Sequence, residues 1–193
     1  MRSINSVFSP IGARVIARED REENDYYATD PNALKLVLAD LELDHNVWEC
    51  ACGAGHLSKV LEDNGYNVKS TDLYDRGYGI SGVNFLETEE TFNGDILTNP
   101  PYSLALDFVK KGLDVIEDGH KVVMFLKIQF LEGKKRREFF KENPPKYVIV
   151  SSSRSKCAKG GNEELFNGPS AVCYAWFVWV KGFKGDPKIR WFN

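Results

Sequence analysis

Apolar residues recur along the chain in two spacings, and the spacing changes several times. Leu34, Val37, Leu38 and Leu41 fall three and four apart behind Asp30 and Pro31, which predicts a short helix capped by Asp30. Dense or alternating apolar runs at 46–50, 67–71, 95–98, 121–126, 147–150 and 171–180 predict strands, with a weaker one at 83–85. Between them, 57–64, 103–117 and 134–142 have helical periodicity and stop at Gly65, at Asp118–Gly119 and at Asn143–Pro144. Strands alternating with helices predict an α/β fold, a mainly parallel twisted sheet with helices on both faces. The aromatic run AVCYAWFVWV predicts a last strand that pairs antiparallel with its neighbour. About twenty residues, 151–170, separate the last two strands, a length at which loops often carry function. Residues 1–25 lack such a pattern and are expected to form a mobile N-terminal arm ahead of a single domain at 26–193.

Composition narrows the classes. With 42% hydrophobic and 27% charged residues in 193, the chain has the balance of a globular protein with a proper core. No apolar run approaches the roughly 18–20 residues of a membrane span, and the start has no signal-peptide pattern, so a cytoplasmic protein is expected. The four cysteines form no CxxC pair and the three histidines are scattered, so neither a metal site nor a disulfide framework is expected. Net charge is −3, but it is unevenly spread. Residues 1–120 hold ten Lys and Arg against twenty-two Asp and Glu, whereas 121–160 hold eleven against three. A basic segment on an acidic body is either a solvated helix face or a local contact for a polyanion.

The first chemical signal is VWECACGAGHLS at 47–58, where a predicted strand meets a predicted helix through Gly53 and Gly55. Glycine there permits positive φ and lets backbone approach a ligand, and the first strand-to-helix turn of an open α/β sheet is its ligand crevice. The third glycine of a dinucleotide fingerprint is missing, and so is the Lys-Ser/Thr of a phosphate loop. Asp72 ends the next strand, nineteen positions beyond Gly53, where a carboxylate either takes ribose hydroxyls or caps the following turn.

These residues resemble the class I S-adenosylmethionine-dependent methyltransferases with a Rossmann-like fold, specifically the amino-methylating nucleic-acid branch. Glu49–Gly55, ECACGAG, is similar to that family's E/D-x-x-x-G-x-G motif. The resemblance implies S-adenosylmethionine as methyl donor, with Gly53 and Gly55 under its methionine part, Asp72 at its ribose, and Glu49, Ala51 and Leu73 also among the donor-binding residues. The segment DYYATDPNAL resembles the motif that precedes the first strand, which implies that Tyr27, Ala28 and Thr29 close over the donor's amino-acid end. Asn84–Phe85 stands where the family often has Asp-Phe beside the donor adenine, and Asn84 departs from the acid.

The second signal is Asn99-Pro100-Pro101-Tyr102, at the end of another predicted strand. Two prolines stiffen the turn and leave carbonyls free to accept. An amide oxygen beside a rigid carbonyl holds both hydrogens of a planar NH₂, draws its lone pair out of conjugation and aims it at an electrophilic methyl. Tyr102 offers a face for stacking. The family uses (D/N)-P-P-(Y/F/W) in this way, which implies Asn99, Pro100, Pro101 and Tyr102 as the catalytic set, with Asn99 also near the donor. Downstream, FLKIQFLEGKKRREFF and YAWFVWVKG look like segments of small phage- and plasmid-type DNA adenine methyltransferases. The expected function is therefore methylation of the adenine amino nitrogen in DNA. Lys134, Lys135, Arg136, Arg137, Arg154, Lys156 and Lys159 are then candidates for contact with DNA, mainly through its phosphates. A protein glutamine or an RNA adenine has the same planar NH₂, and a catalytically idle binding module would keep the same fold.

Overall fold

The central strands are apolar on both sides because both sides are covered. In the computed structural model, which describes residues 26–152, 155, 157–162, 164, 166 and 172–192, a seven-stranded sheet forms the middle layer. In chain order the strands and helices are β1 (Tyr27–Thr29), α1 (Pro31–Lys35), α2 (Leu38–Leu41), β2 (Asn46–Glu49), α3 (His56–Asp63), β3 (Asn67–Ser70), β4 (Asp95–Thr98), α4 (Ala105–Val115), β5 (Lys121–Lys127), α5 (Lys134–Glu142), β6 (Tyr147–Ser151), β7 (Cys157–Lys159), β8 (Tyr174–Val180) and β9 (Lys188–Phe192). The sheet order is β3-β2-β4-β5-β8-β6-β9, with β8 antiparallel to both β5 and β6 and the other pairs parallel. The arm at 1–25 lies outside the described residues.

Alternation along the strands divides the core. Val122, Met124 and Leu126 of β5, with Phe177 and Trp179 of β8, face Phe108 and Val109 of α4 and Phe139 of α5. Val123, Phe125, Trp176 and Val178 face the other way, toward Leu34, Val37 and Leu41 and toward Leu57, Val60 and Leu61 of α3. A period of two in a strand sends successive side chains to opposite layers, so a strand covered on both sides reads as one apolar run. The buried indoles are satisfied: Trp176 Nε1 donates to the Ala33 carbonyl at 2.9 Å and Trp48 Nε1 to Thr71 Oγ1 at 2.9 Å.

The N-terminal edge of the sheet is pinned by Asp95, which is fully buried. Its carboxylate accepts from Asp44 N at 2.8 Å and Lys121 N at 2.7 Å, with Lys121 Nζ at 3.4 Å and His120 Nδ1 at 3.4 Å. One side chain thereby ties the approach to β2, the start of β4 and the start of β5.

Several local expectations change. The helix read over Leu34–Leu41 breaks at Leu36 and Val37 into α1 and α2, although Asp30 does cap it, accepting from Asn32 N at 2.9 Å. The strand expected at 83–85 is replaced by a 3₁₀ turn, Phe85–Glu87, because Asn84 Oδ1 accepts from Leu86 N at 3.2 Å and turns the chain. The strand expected from residue 171 starts at Tyr174, and it is not the last, since β9 follows and pairs with β6. The three-residue strands β1 and β7 form an antiparallel ribbon of their own, Tyr27 opposite Lys159 and Thr29 opposite Cys157.

Candidate functional site

Parallel pairing of β2 with β4, Trp48 beside Ile96, brings their C-terminal ends to the same edge of the sheet. Thr98 Oγ1 donates to Glu49 Oε1 at 2.7 Å across that junction. The turn after β2 and the turn after β4 therefore open into one cavity of about 360 Å³, within the size range of small-molecule sites, roughly 300–1,000 Å³. Tyr27, Ala28, Thr29, Glu49, Ala51, Asp72, Leu73, Asn84, Phe85 and the whole of Asn99, Pro100, Pro101 and Tyr102 line it. Residues as far apart in sequence as 27 and 102 converge because each sits at or just beyond a strand end.

Gly53 and Gly55 lie beneath the cavity wall rather than in it. Both have positive φ, 54° and 80°, and each is covered by a ring: a Cβ on Gly53 would stand 2.6 Å from Tyr26, and one on Gly55 2.5 Å from Tyr78. Side chains are excluded at both positions by conformation and by contact. Gly53 N donates to Asp72 Oδ2 at 2.8 Å, and Tyr74 N donates to Asp72 Oδ1 at 2.8 Å. Asp72 thus braces both turns and also lines the cavity, so the two readings of this residue coexist. Each carboxylate oxygen keeps a lone pair for hydroxyl donors.

Glu49 is the buried acid of the site. Loss of solvent pushes its carboxyl up to about 8, aided by the nearby Asp72 charge and opposed by the Thr98 hydrogen bond. The same burial holds Cys52 at about 12 and Cys157 at about 11, so these stay thiols.

In the cavity wall, next after Thr98 in the chain, Asn99 Nδ2 donates to the Tyr27 carbonyl at 2.7 Å and lies 3.9 Å from Cys157 Sγ. With its NH₂ held by the ribbon, its Oδ1 is buried and has no hydrogen-bond partner. Thr29 Oγ1 is in the same condition. Buried polar atoms of this kind are uncommon in folded proteins, and each calls for a partner such as a water or a ligand group. Tyr102 is more enclosed than a free stacking platform. Tyr27 lies over it at 5.5 Å, Lys127 Nζ stands 4.3 Å from its ring centre, and its hydroxyl donates to Cys157 Sγ at 3.3 Å. Asn84 spends its oxygen on the 3₁₀ turn, which leaves its amide NH₂ as the group able to face a ligand.

The basic candidates separate. Lys134, Lys135 and Arg137 are exposed on the first turn of α5, which follows the C-terminal end of β5 and so lies at the cleft edge of the sheet. Arg136 does not join them: its Nε donates to the Glu132 carbonyl at 2.5 Å and its guanidinium stands 5.1 Å from the Phe130 ring, clamping the turn before the helix. Arg154 and Lys156 lie outside the described residues, as does the side chain of Lys159. Sequence reading missed Tyr26, Arg76 and Cys157. Arg76 sits in the glycine-rich stretch after Asp72, where a cation among acids was the available signal; Cys157 carried none.

The residues suit the donor named by the resemblance. Two acids, Glu49 and Asp72, and two residues with unpartnered side-chain oxygens, Asn99 and Thr29, line the cavity, while the glycine turn packs behind the Tyr26 and Tyr78 rings. No protein-family model matches the sequence, and no curated protein matches it. Solved structures with the same fold include a candidate class I S-adenosylmethionine-dependent methyltransferase from Listeria monocytogenes, 11% identical, with a TM-score of 0.54 over 82% of this chain and 60% of that one. A candidate RNA methyltransferase from Pyrococcus horikoshii is 12% identical, with a TM-score of 0.51 over 79% of this chain and 83% of that one. Magnesium protoporphyrin IX methyltransferase from Synechocystis, solved with S-adenosylmethionine bound, is 11% identical, with a TM-score of 0.50 over 78% of this chain and 77% of that one. Such identities speak for architecture and leave the acceptor open. The chain has the fold of the class I S-adenosylmethionine-dependent methyltransferases.

Proposed function

We propose that this protein is an S-adenosylmethionine-dependent methyltransferase acting on the exocyclic amino nitrogen of adenine in DNA. The observation that carries the reading is Asn99 Oδ1, a buried acceptor without a partner, set beside Pro100 in the cavity that also holds Glu49 and Asp72. When bound, the donor would supply a methyl group on a sulfonium: the N–C bond forms from the amine lone pair as the S–C bond breaks and a neutral thioether leaves. The methylated nitrogen then sheds one proton to solvent, so no strong base is needed before attack. Asn99 Oδ1 and the Pro100 carbonyl accept the two amine hydrogens and keep the lone pair directed into the cavity. The Tyr27 carbonyl fixes which way the Asn99 amide faces. Positioning in a water-poor cleft supplies most of the rate.

An adenine paired in a duplex must leave the stack to enter such a pocket. Lys134, Lys135 and Arg137, at the cleft edge, hold the backbone while it does so. The test is transfer of labelled methyl to duplex DNA, to RNA and to protein in parallel, followed by digestion and mass analysis. Label on the adenine amino nitrogen of DNA is expected. Label found only on RNA or protein overturns the DNA assignment and keeps the donor chemistry.

A further inference from the structure

Arg76 brings a fixed positive charge to the cavity wall. It lies in the loop after β3, and it is the one Lys or Arg among the described residues that line the cavity. Its guanidinium carbon stands 3.9 Å from the centre of the Tyr26 ring and 5.5 Å from that of Tyr74. Its Nε is buried and has no hydrogen-bond partner, and no carboxylate among the described residues pairs with it. A guanidinium is always charged and carries five N–H donors in a rigid fork, so leaving it half-buried and unpaired is costly. Stacking between rings recovers part of that cost and fixes the fork in place.

Position narrows the anion. The Tyr26 ring beneath Arg76 lies directly on Gly53, and the Tyr26 hydroxyl accepts from Ala54 N at 3.3 Å. Arg76 therefore stands over the glycine turn, at the same end of the cavity as Glu49 and Asp72. Those two acids suit a ligand with cationic groups and repel a phosphate. A ligand with ribose hydroxyls for Asp72, a cationic group for Glu49 and one carboxylate for Arg76 matches all three side chains at once. We propose that Arg76 receives the α-carboxylate of the donor's amino-acid end, its N–H groups donating to the carboxylate oxygens. This assignment rests on the donor reading above.

R76M keeps an unbranched stem against Tyr26 and removes the charge, and its effect separates by ligand. Titration calorimetry with S-adenosylhomocysteine and with 5′-methylthioadenosine, which lacks the amino-acid end, reads it directly. R76M is expected to bind S-adenosylhomocysteine roughly tenfold or more weakly, to bind 5′-methylthioadenosine as wild type does, and R76K to recover part of the loss. Equal binding of S-adenosylhomocysteine by R76M and wild type overturns the assignment. So does an equal loss for both ligands, since Arg76 would then only prop the loop. Wild type that binds neither compound overturns the donor reading itself.

Discussion

Glu49 and Asn99 are both shaped by what solvent is kept away from them. A carboxyl held at about 8 by burial is mostly protonated at neutral pH, and a cation brought beside it shifts it back toward the carboxylate. Binding of a cationic donor below pH 8 is therefore expected to release a proton. Calorimetry in two buffers of different ionisation enthalpy measures that release, and Glu49→Gln should abolish it; unchanged release in the variant would assign the proton elsewhere. The same shift acts on folding. Because the folded-state value exceeds the ordinary carboxyl value of 4.5, Glu49's contribution is complete below about 4.5 and is lost as pH rises through about 8. Glu49→Gln should flatten that part of the stability curve. On the proposed function, Asn99→Ala removes the acceptor that holds the reacting amine. Turnover is expected to fall on the order of 10²-fold or more, with affinity for S-adenosylhomocysteine retained. Loss of both together would mean that Asn99 only holds the ribbon through Tyr27.

The elements show where pattern suffices and where it fails. β5 and β8 were legible because five consecutive apolar residues in β5 and seven in β8 carry a signal that two covered faces require. β1 and β7 were not: YAT and CAK are too short for any period, and only each other's backbone makes them strands. Residues 83–85 carried β-forming side chains that the Asn84 cap overrode. Helix α5 was legible as basic but not as divided, since only contacts with Glu132 and Phe130 take Arg136 out of the exposed set. Reversing charge at Lys134, Lys135 and Arg137 should weaken DNA binding and flatten its dependence on salt, whereas reversal at Arg136 should chiefly lower stability. An unchanged salt slope would return the first turn of α5 to ordinary solvated surface. Asp95 belongs to this scale too, because three elements meet on it. Asp95→Ala is expected to cost about 3 kcal/mol in denaturant unfolding, since two backbone N–H groups lose their acceptor and Lys121 loses its counter-charge.

At the scale of the whole molecule, both informative motifs could be read early because both close strands at the same edge. The crevice rule for open α/β sheets then joins them without knowledge of any side-chain contact. What it cannot supply is the far wall, which is built by the ribbon and by Arg76, from segments without a pattern. Occupancy of the cavity should be felt by the entire fold: S-adenosylhomocysteine at one hundred times its Kd is expected to add about 2.7 kcal/mol of stability, read as a rise in Tm, and no rise would deny a site for it. The sheet also keeps two kinds of work apart. Asp95 fastens the strands where they begin, while the turns that gather ligands lie where β2 and β4 end. Such a separation divides the labour of the sheet: the cavity rim is free to vary while the knot at the opposite rim goes on holding the chain together.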